Sequence, residues 1–321
     1  MEHLRFQNRV AGLTVDAARR EQQMRALTPA DRSFVILFSA RSGSSWLTGV
    51  LSGTKKLGRP EEFINPDFVR DVAQRMNALT PDDLLASLRR VCKTQNGVFG
   101  LEARAIDVTL LGFDAFRDAF AGEALFFHLW RENIVAQGLS LYRAVTTARF
   151  HSSDGAAAVA PPFDAEKILG WMHHIIETEN DNIRLLGRLG VPARRLRYEE
   201  IVADRQATIE AFAHALAVPF TKEEFAAAPA AELKRLSDDW NEAAEARLRA
   251  EHAAAIARLE SLRLIRRSDQ GTAPGPPGGA EWDRGYRAGL AGRSPRNNPF
   301  PGERPRAEAW SLGWAAGWGA A

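Results

Sequence analysis

Arg41 and Arg131 stand in matching places in this sequence. Each follows an apolar run, Ser33 to Ser39 and Gly122 to Trp130, and each is followed at once by a helical pattern. A guanidinium at such a position offers a fixed charge and a planar fork of donors, which suits an anion. Around Arg41 the stretch "ARSGSSW" adds the hydroxyls of Ser42, Ser44 and Ser45 and a single glycine, Gly43. A parallel strand that enters a helix through a tight glycine loop leaves unpaired N–H groups at the helix start, and these, with the positive end of the helix dipole, form an anion site. The spacing GxxxxGK is absent and no lysine follows Gly43, so a triphosphate is disfavoured and a phosphosulfate-like diphosphate fits better. The plainer alternative is that the serines and glycine only cap a helix. Ser140 lies nine residues after Arg131, so this second arginine could hold a separate phosphate of the same ligand. A solvated Arg131 and a Ser140 bonded back to its own helix are the structural alternatives.

The segment "LGRPEEFINP" follows the first helix by a few residues and therefore returns over the same site. Its adjacent carboxylates, Glu61 and Glu62, stand beside Arg59. One carboxylate near an acceptor hydroxyl can act as general base. Adjacent residues usually point apart, so the two are not expected to work as a pair, and an exposed loop charge is the alternative for either. The seven histidines offer no metal site: His173 and His174 are adjacent on a helix and diverge, and His128 lies inside a strand.

These residues need a frame that brings strand ends together. Ser33 to Ser39 is continuously apolar, as in a strand covered on both faces of a parallel sheet. "GVFGLEARA" and "GEALFFHLW" read as further strands, and "ARRLRYEEIV" as a strand running into a turn. Between them fall helices: "WLTGVLSG", "TPDDLLASLRRVC" with Thr80 as N-cap and Pro81 at the first helical position, "ENIVAQGLSLYRAV", a long amphipathic helix closed by Gly190, and "RQATIEAFAHALAV". Gln7 to Leu27 reads as one polar, arginine-rich helix. Strands alternating with helices predict a three-layer α/β domain with a parallel sheet.

Composition narrows the classes. The 321 residues are 45% hydrophobic and 26% charged, with a formal net charge of +2. That balance supports a large core and argues against nucleic acid as the main partner. One cysteine, Cys92, excludes an intrachain disulfide and fits a reducing compartment. The N-terminal stretch has no apolar signal core and no run reaches membrane-spanning length, so a cytoplasmic protein is expected. The stretch "SDQGTAPGPPGGA" is rich in proline and glycine and reads as a flexible linker. The expected organisation is an N-terminal helical extension (1–30), a main domain (31–267), the linker (268–280) and a small helical module (281–321). In that module Trp282, Tyr286 and Leu290, and likewise Trp310, Trp314 and Trp318, recur at helical spacing, and the expected form is a helical hairpin.

Five ordered segments carry a resemblance. "RSGSSWLTGVLSGTKKLGRPEEF", "NGVFGLEA", "HLWRENIVAQGLSLYRAVTT", "LRYEEIVADRQATIEAFAHAL" and "LKRLSDDWNEAAEARL" resemble, in order, the landmarks of the trehalose sulfotransferase family of bacterial sulfotransferases. The resemblance implies a P-loop-like three-layer sulfotransferase fold. It also implies transfer of a sulfuryl group from 3′-phosphoadenosine 5′-phosphosulfate, with no metal, to a hydroxyl of a carbohydrate, glycolipid or other small molecule. Arg41, Ser42, Gly43, Ser44, Ser45 and Trp46 match the loop for the 5′-phosphosulfate. Arg131 and Ser140 match the pair for the 3′-phosphate. Glu62 matches the general base, with Arg41 sharing the catalytic work; Arg59 and Phe63 are expected at the acceptor, and Lys234 or Arg235 near the nucleotide. Three positions depart from the pattern: Ala40 stands for a polar residue, Arg59 for an acidic one, and Leu101 with Glu102 where a lysine is expected. Trehalose is therefore not carried over as substrate. The alternatives are a small-molecule kinase of related fold, disfavoured by the missing loop lysine, and a non-catalytic nucleotide-binding regulator acting through its tail. The tail resembles the small bacterial ribosome modulation factor, which implies ribosome or RNA contact through Arg284, Arg287, Arg293 and Arg296; a homodimer is a further expected partner.

Overall fold

The computed structural model describes residues 2–149, 160–221, 224 and 239–265, with residues 284–285, 288, 293–294, 297–300, 306–307, 310–311 and 314 of the tail. Four strands form one parallel sheet among these residues: β1 (Arg32–Leu37), β2 (Val98–Ala103), β3 (Ala124–Trp130) and β4 (Ala193–Arg197). Their order is β2-β1-β3-β4. The chain leaves β1 to one side for β2, then crosses to the other side for β3. The sheet therefore has its switch point between β1 and β3, where open α/β sheets leave a crevice beyond the carboxyl ends of the strands.

Side chains alternate across β1 and divide the core in two. Val35 and Leu37 join a cluster with Phe99, Leu101 and Phe126, covered by α4 (Val69–Met76), α5 (Pro81–Val91) and α7 (Phe113–Phe120). Phe34 and Ile36 face the other way, toward α3 (Ser44–Gly53) and the helix Arg205–Ala215. Both faces of the sheet are thus dry at β1 and β3, which is why these strands read as apolar runs, while the edge strand β4 is arginine-rich and partly exposed. The helix α8 (Ile134–Thr147) packs against α9 (Ala165–Leu189) and the helix Asp239–Glu251 in a third cluster. Gly190 closes α9 at φ 67°, and Thr80 caps α5 by accepting from the Asp83 N–H.

Two elements differ from the sequence expectation. Residues 7–27 do not form one helix: a short helix, Phe6–Val10, is followed by a break and then by Ala17–Ala26. Gly12 takes φ 73° in the break, and Asp16 restarts the helix by accepting from the Arg19 N–H. Phe6 and Val10, one helical turn apart, are buried in the first core cluster, so this part of the chain packs inward. After β4 the chain forms a helix, Tyr198–Ala203, where a turn was expected.

In the tail, Trp310 and Trp314 are buried, together with Ala288 and Phe300, in the same cluster as the first face of the sheet. The Trp314 indole N–H donates to the Arg293 carbonyl at 2.8 Å. A Cβ at Gly285 would collide with the Trp310 carbonyl, so the two tail segments cross closely there. The linker 268–280, Trp282, Tyr286, Arg287, Leu290, Arg296, Trp318, Lys234 and Arg235 lie outside the described residues. No described helix is long and apolar enough to cross a membrane.

Candidate active site

Neutral amides fix the exit of β1. Asn182 of α9 donates to the Phe38 carbonyl at 2.9 Å and accepts from the Ala105 N–H at 2.8 Å, clasping the ends of β1 and β2. Gln137 of α8 donates to the Ser39 hydroxyl and the Ala40 carbonyl at 3.0 and 2.8 Å. The loop that follows holds Arg41 at φ 62° and Gly43 at φ 96°. A left-handed arginine costs on the order of 1–2 kcal/mol, so the surrounding bonds hold a conformation the backbone would not choose alone. At Gly43 even a Cβ would run into the ring of Tyr198. The Gly43 carbonyl accepts from the Leu47 N–H, which leaves the N–H groups of Ser44, Ser45 and Trp46 outside the ladder of α3. The Ser42 hydroxyl is fully buried and has no hydrogen-bond partner among the described residues. A buried hydroxyl in that state loses stability unless a ligand or water engages it.

The ends of β1 and β3 converge through Arg41. Its Nε donates to the Ser140 hydroxyl at 3.0 Å, across 99 residues of chain. Burial, and then the nearby charge of Arg131, push the Arg41 guanidinium below its ordinary value. Two arginines that repel each other in a partly buried site stabilise an anion placed between them. Arg131 lies 4.7 Å from the centre of the Tyr198 ring and 3.9 Å from a Glu199 oxygen. The Glu199 carboxylate accepts from the Glu132 and Asn133 N–H groups at 3.0 and 3.2 Å, at the start of α8. Behind them stands a fully buried ion pair, Arg263 with Glu179, at 2.9 Å. Arg263 also donates to the carbonyls of Arg131 and Glu132, at 2.7 and 3.0 Å. A small cleft opens beside Arg41 and Ser140, with Arg143, Thr147, Arg149 and Asn241 on its walls.

The carboxylates occupy the opposite side of α3. Glu61 forms a bridge with Leu101, its carbonyl accepting from the Glu102 N–H at 3.0 Å, so the segment lies along β2. Glu61 turns to Arg59, 2.5 Å away and largely exposed. Glu62 turns to Asn65, whose amide donates to it at 2.6 Å. The two carboxylates diverge, as adjacent residues should. Phe63, expected at the acceptor, is only 6% exposed and stacks on Phe99. Its apolar ring gains more by joining the core, so it anchors the segment from below.

Sequence reading missed five contributors. Tyr198 was legible as part of a segment but not as the wall against Gly43 and Arg131. Gln137 lies in the middle of α8 with no pattern to mark it. Arg263 and Glu179 are 84 residues apart and signal nothing individually. Glu102, noted only as a departure, proves to be a buried carboxyl at the end of β2 beside Thr48 of α3.

A four-stranded parallel sheet with arginines beyond the ends of β1 and β3 defines an α/β protein whose candidate site suits an anion. The family model described as "Stf0 sulphotransferase" matches residues 33–251. The chain belongs to the Stf0 sulphotransferase family. A similar protein is the trehalose 2-sulfotransferase of Mycobacterium tuberculosis, 26% identical over 159 residues that cover 38% of this chain and 60% of that relative. The chain thus spans less than two thirds of the length of the relative it matches.

Proposed function

We propose that this protein transfers a sulfuryl group from 3′-phosphoadenosine 5′-phosphosulfate to a hydroxyl of a small molecule of the carbohydrate or glycolipid class. The observation that carries the reading is the convergence of the Arg41 loop, Ser140 and Arg131 beyond the carboxyl ends of β1 and β3. The residues fit the donor: the buried Ser42 hydroxyl and the α3 N–H groups suit one anionic end, and Arg131 with Ser140 suits the 3′-phosphate. When bound, the donor supplies the sulfuryl group, whose S–O bond to phosphate breaks as a bond to the acceptor oxygen forms.

The protein's own part is positioning and charge. Arg41 and the α3 N–H groups oppose the negative charge that builds on the departing oxygen. Glu62, oriented by Asn65, takes the hydroxyl proton. The named relative acts on trehalose, but Arg59 and Glu102 alter the acceptor side here, which favours a different hydroxyl compound. Incubation of the protein and donor with a panel of hydroxyl compounds tests the reading, with mass detection of sulfate esters and of released 3′-phosphoadenosine 5′-phosphate. Matched appearance of the two products supports it. Nucleotide release without any ester on sugars, glycolipids or other alcohols contradicts it.

A further inference from the structure

We propose that Glu102 is a positioning residue that works as a neutral acid. Its carboxyl O–H donates to the Thr48 hydroxyl, the Thr48 O–H donates in turn to the Pro60 carbonyl, and this chain ties α3 to the segment that carries Glu62.

The Thr48 oxygen lies 2.5 Å from a Glu102 oxygen and 3.0 Å from the Pro60 carbonyl oxygen. A hydroxyl owns one proton, while a carbonyl and an ionised carboxylate can only accept. If Glu102 were ionised, one of the two contacts would set oxygen against oxygen with no proton between. With a proton on Glu102 both become hydrogen bonds. The other side of the carboxyl is then free to accept from Ser44, which also bonds to it. Ser44 and Thr48 are one turn apart on α3, so the acid grips the same helix that begins at the anion loop.

The surroundings favour the neutral form. Glu102 is 4% exposed. Burial first, and then the charges of Glu62 and Glu61, raise its pKa to about 8. Among the described residues, the groups acting on it include no compensating cation. Glu61 is occupied with Arg59, α3 offers only hydroxyls, and Arg104 beyond the strand end is held by Asp107. A neutral Glu102 adds no further charge beside Glu61 and Glu62. Its ionisation would break the Thr48–Pro60 link and place a negative charge beside the anion loop.

The consequence for nucleotide binding rests on the transferase reading; the proton chain itself does not. The test uses the full-length protein and its Glu102→Gln variant. Glutamine keeps a donor for Thr48 and an acceptor for Ser44 but cannot titrate. Difference infrared titration of the wild type should show a protonated carboxyl band that disappears with a midpoint near 8, and the variant should lack it. Calorimetric titration with 3′-phosphoadenosine 5′-phosphate should show wild-type affinity falling on the order of tenfold above that midpoint, the effect of a like charge at close range, while Glu102→Gln binds equally across the range. Loss of the wild-type band in the ordinary carboxylate range, or its persistence in Glu102→Gln, overturns the proposal. If the variant does not fold, the wild-type midpoint decides alone. If neither protein binds the nucleotide at any pH, the transferase reading fails and the infrared result still decides the proton chain.

Discussion

The two sides of α3 are built on opposite plans. On one side, cationic groups come from distant parts of the chain. Arg41 follows β1, Arg131 and Ser140 follow β3, and Tyr198 follows β4, with Arg263 and Glu179 behind them. On the other, the groups are carboxyls crowded into a short segment, Glu61 and Glu62, laid along Glu102 of one neighbouring strand. In the proposed reading, the first is the donor side, where fixed charges and buried bonds would answer a fixed ligand charge. The second is the acceptor side, which would take a proton and so has groups whose charge can change. One helix borders both: its first N–H groups lie outside its own hydrogen-bond ladder, and Thr48 on its next turn faces the acid.

The difference can be broken from either side. The largest effect is expected from Glu62→Gln, which keeps shape but cannot take a proton: turnover should fall by about 10²–10⁴-fold with nucleotide affinity near wild type. Equal loss of affinity and turnover would place Glu62 on the donor side. Next comes Glu179→Gln, which leaves Arg263 buried without its charge partner. Denaturant unfolding should show a loss of about 3–5 kcal/mol, and an unchanged midpoint would mean the pair does not support the Arg131 backbone. Arg41→Ala should slow transfer by about 10²–10³-fold, read in single-turnover kinetics. A turnover rate unaffected at saturating donor would remove Arg41 from the chemistry. The smallest effect belongs to Arg131→Ala, a loss of about 1.5–3 kcal/mol in nucleotide binding, as for a hydrogen bond to a charged group. That loss should vanish for the nucleotide lacking the 3′-phosphate; an equal loss for both nucleotides would break the assignment.

Stability carries the acceptor acid's signature as well. Folding raises Glu102 to about 8 from an ordinary value of 4.5, so the folded state holds a proton that the unfolded chain has already released. Its contribution to stability is full below the ordinary value, falls as pH rises through that window, and is level above it. In Glu102→Gln this part of the slope should disappear from unfolding curves taken between those limits, and an unchanged slope would assign the acid an ordinary value.

Much of the frame was legible because β1, β2 and most of β3 are dry on both faces. An unbroken run such as Phe34 to Leu37 can be little else, and the arginines at the ends of β1 and β3 then follow from position. Strand order was not legible: the switch point depends on crossovers that no local pattern records. The break at Gly12 occupies only the short stretch from Ala11 to Asp16 between two helical segments, too brief for a pattern to mark it. The helix after β4 was hidden because six residues are too few to show a period. Glu62 could be singled out by its segment, but its partner Asn65 and the divergence from Glu61 needed coordinates. Glu102 was least legible. A lone acid at a strand end usually meets solvent, and only the packing of Thr48 and Pro60 over it reveals a buried proton.

The donor site is tested most directly by calorimetric titration of the wild-type protein with 3′-phosphoadenosine 5′-phosphate and, in parallel, with adenosine 5′-phosphate. The convergence of Arg41, Ser140 and Arg131 predicts one nucleotide bound per chain, with affinity at least roughly tenfold weaker when the 3′-phosphate is missing, as expected for losing a charge-assisted bond. Equal affinity for the two nucleotides, or no binding of either, would contradict the account.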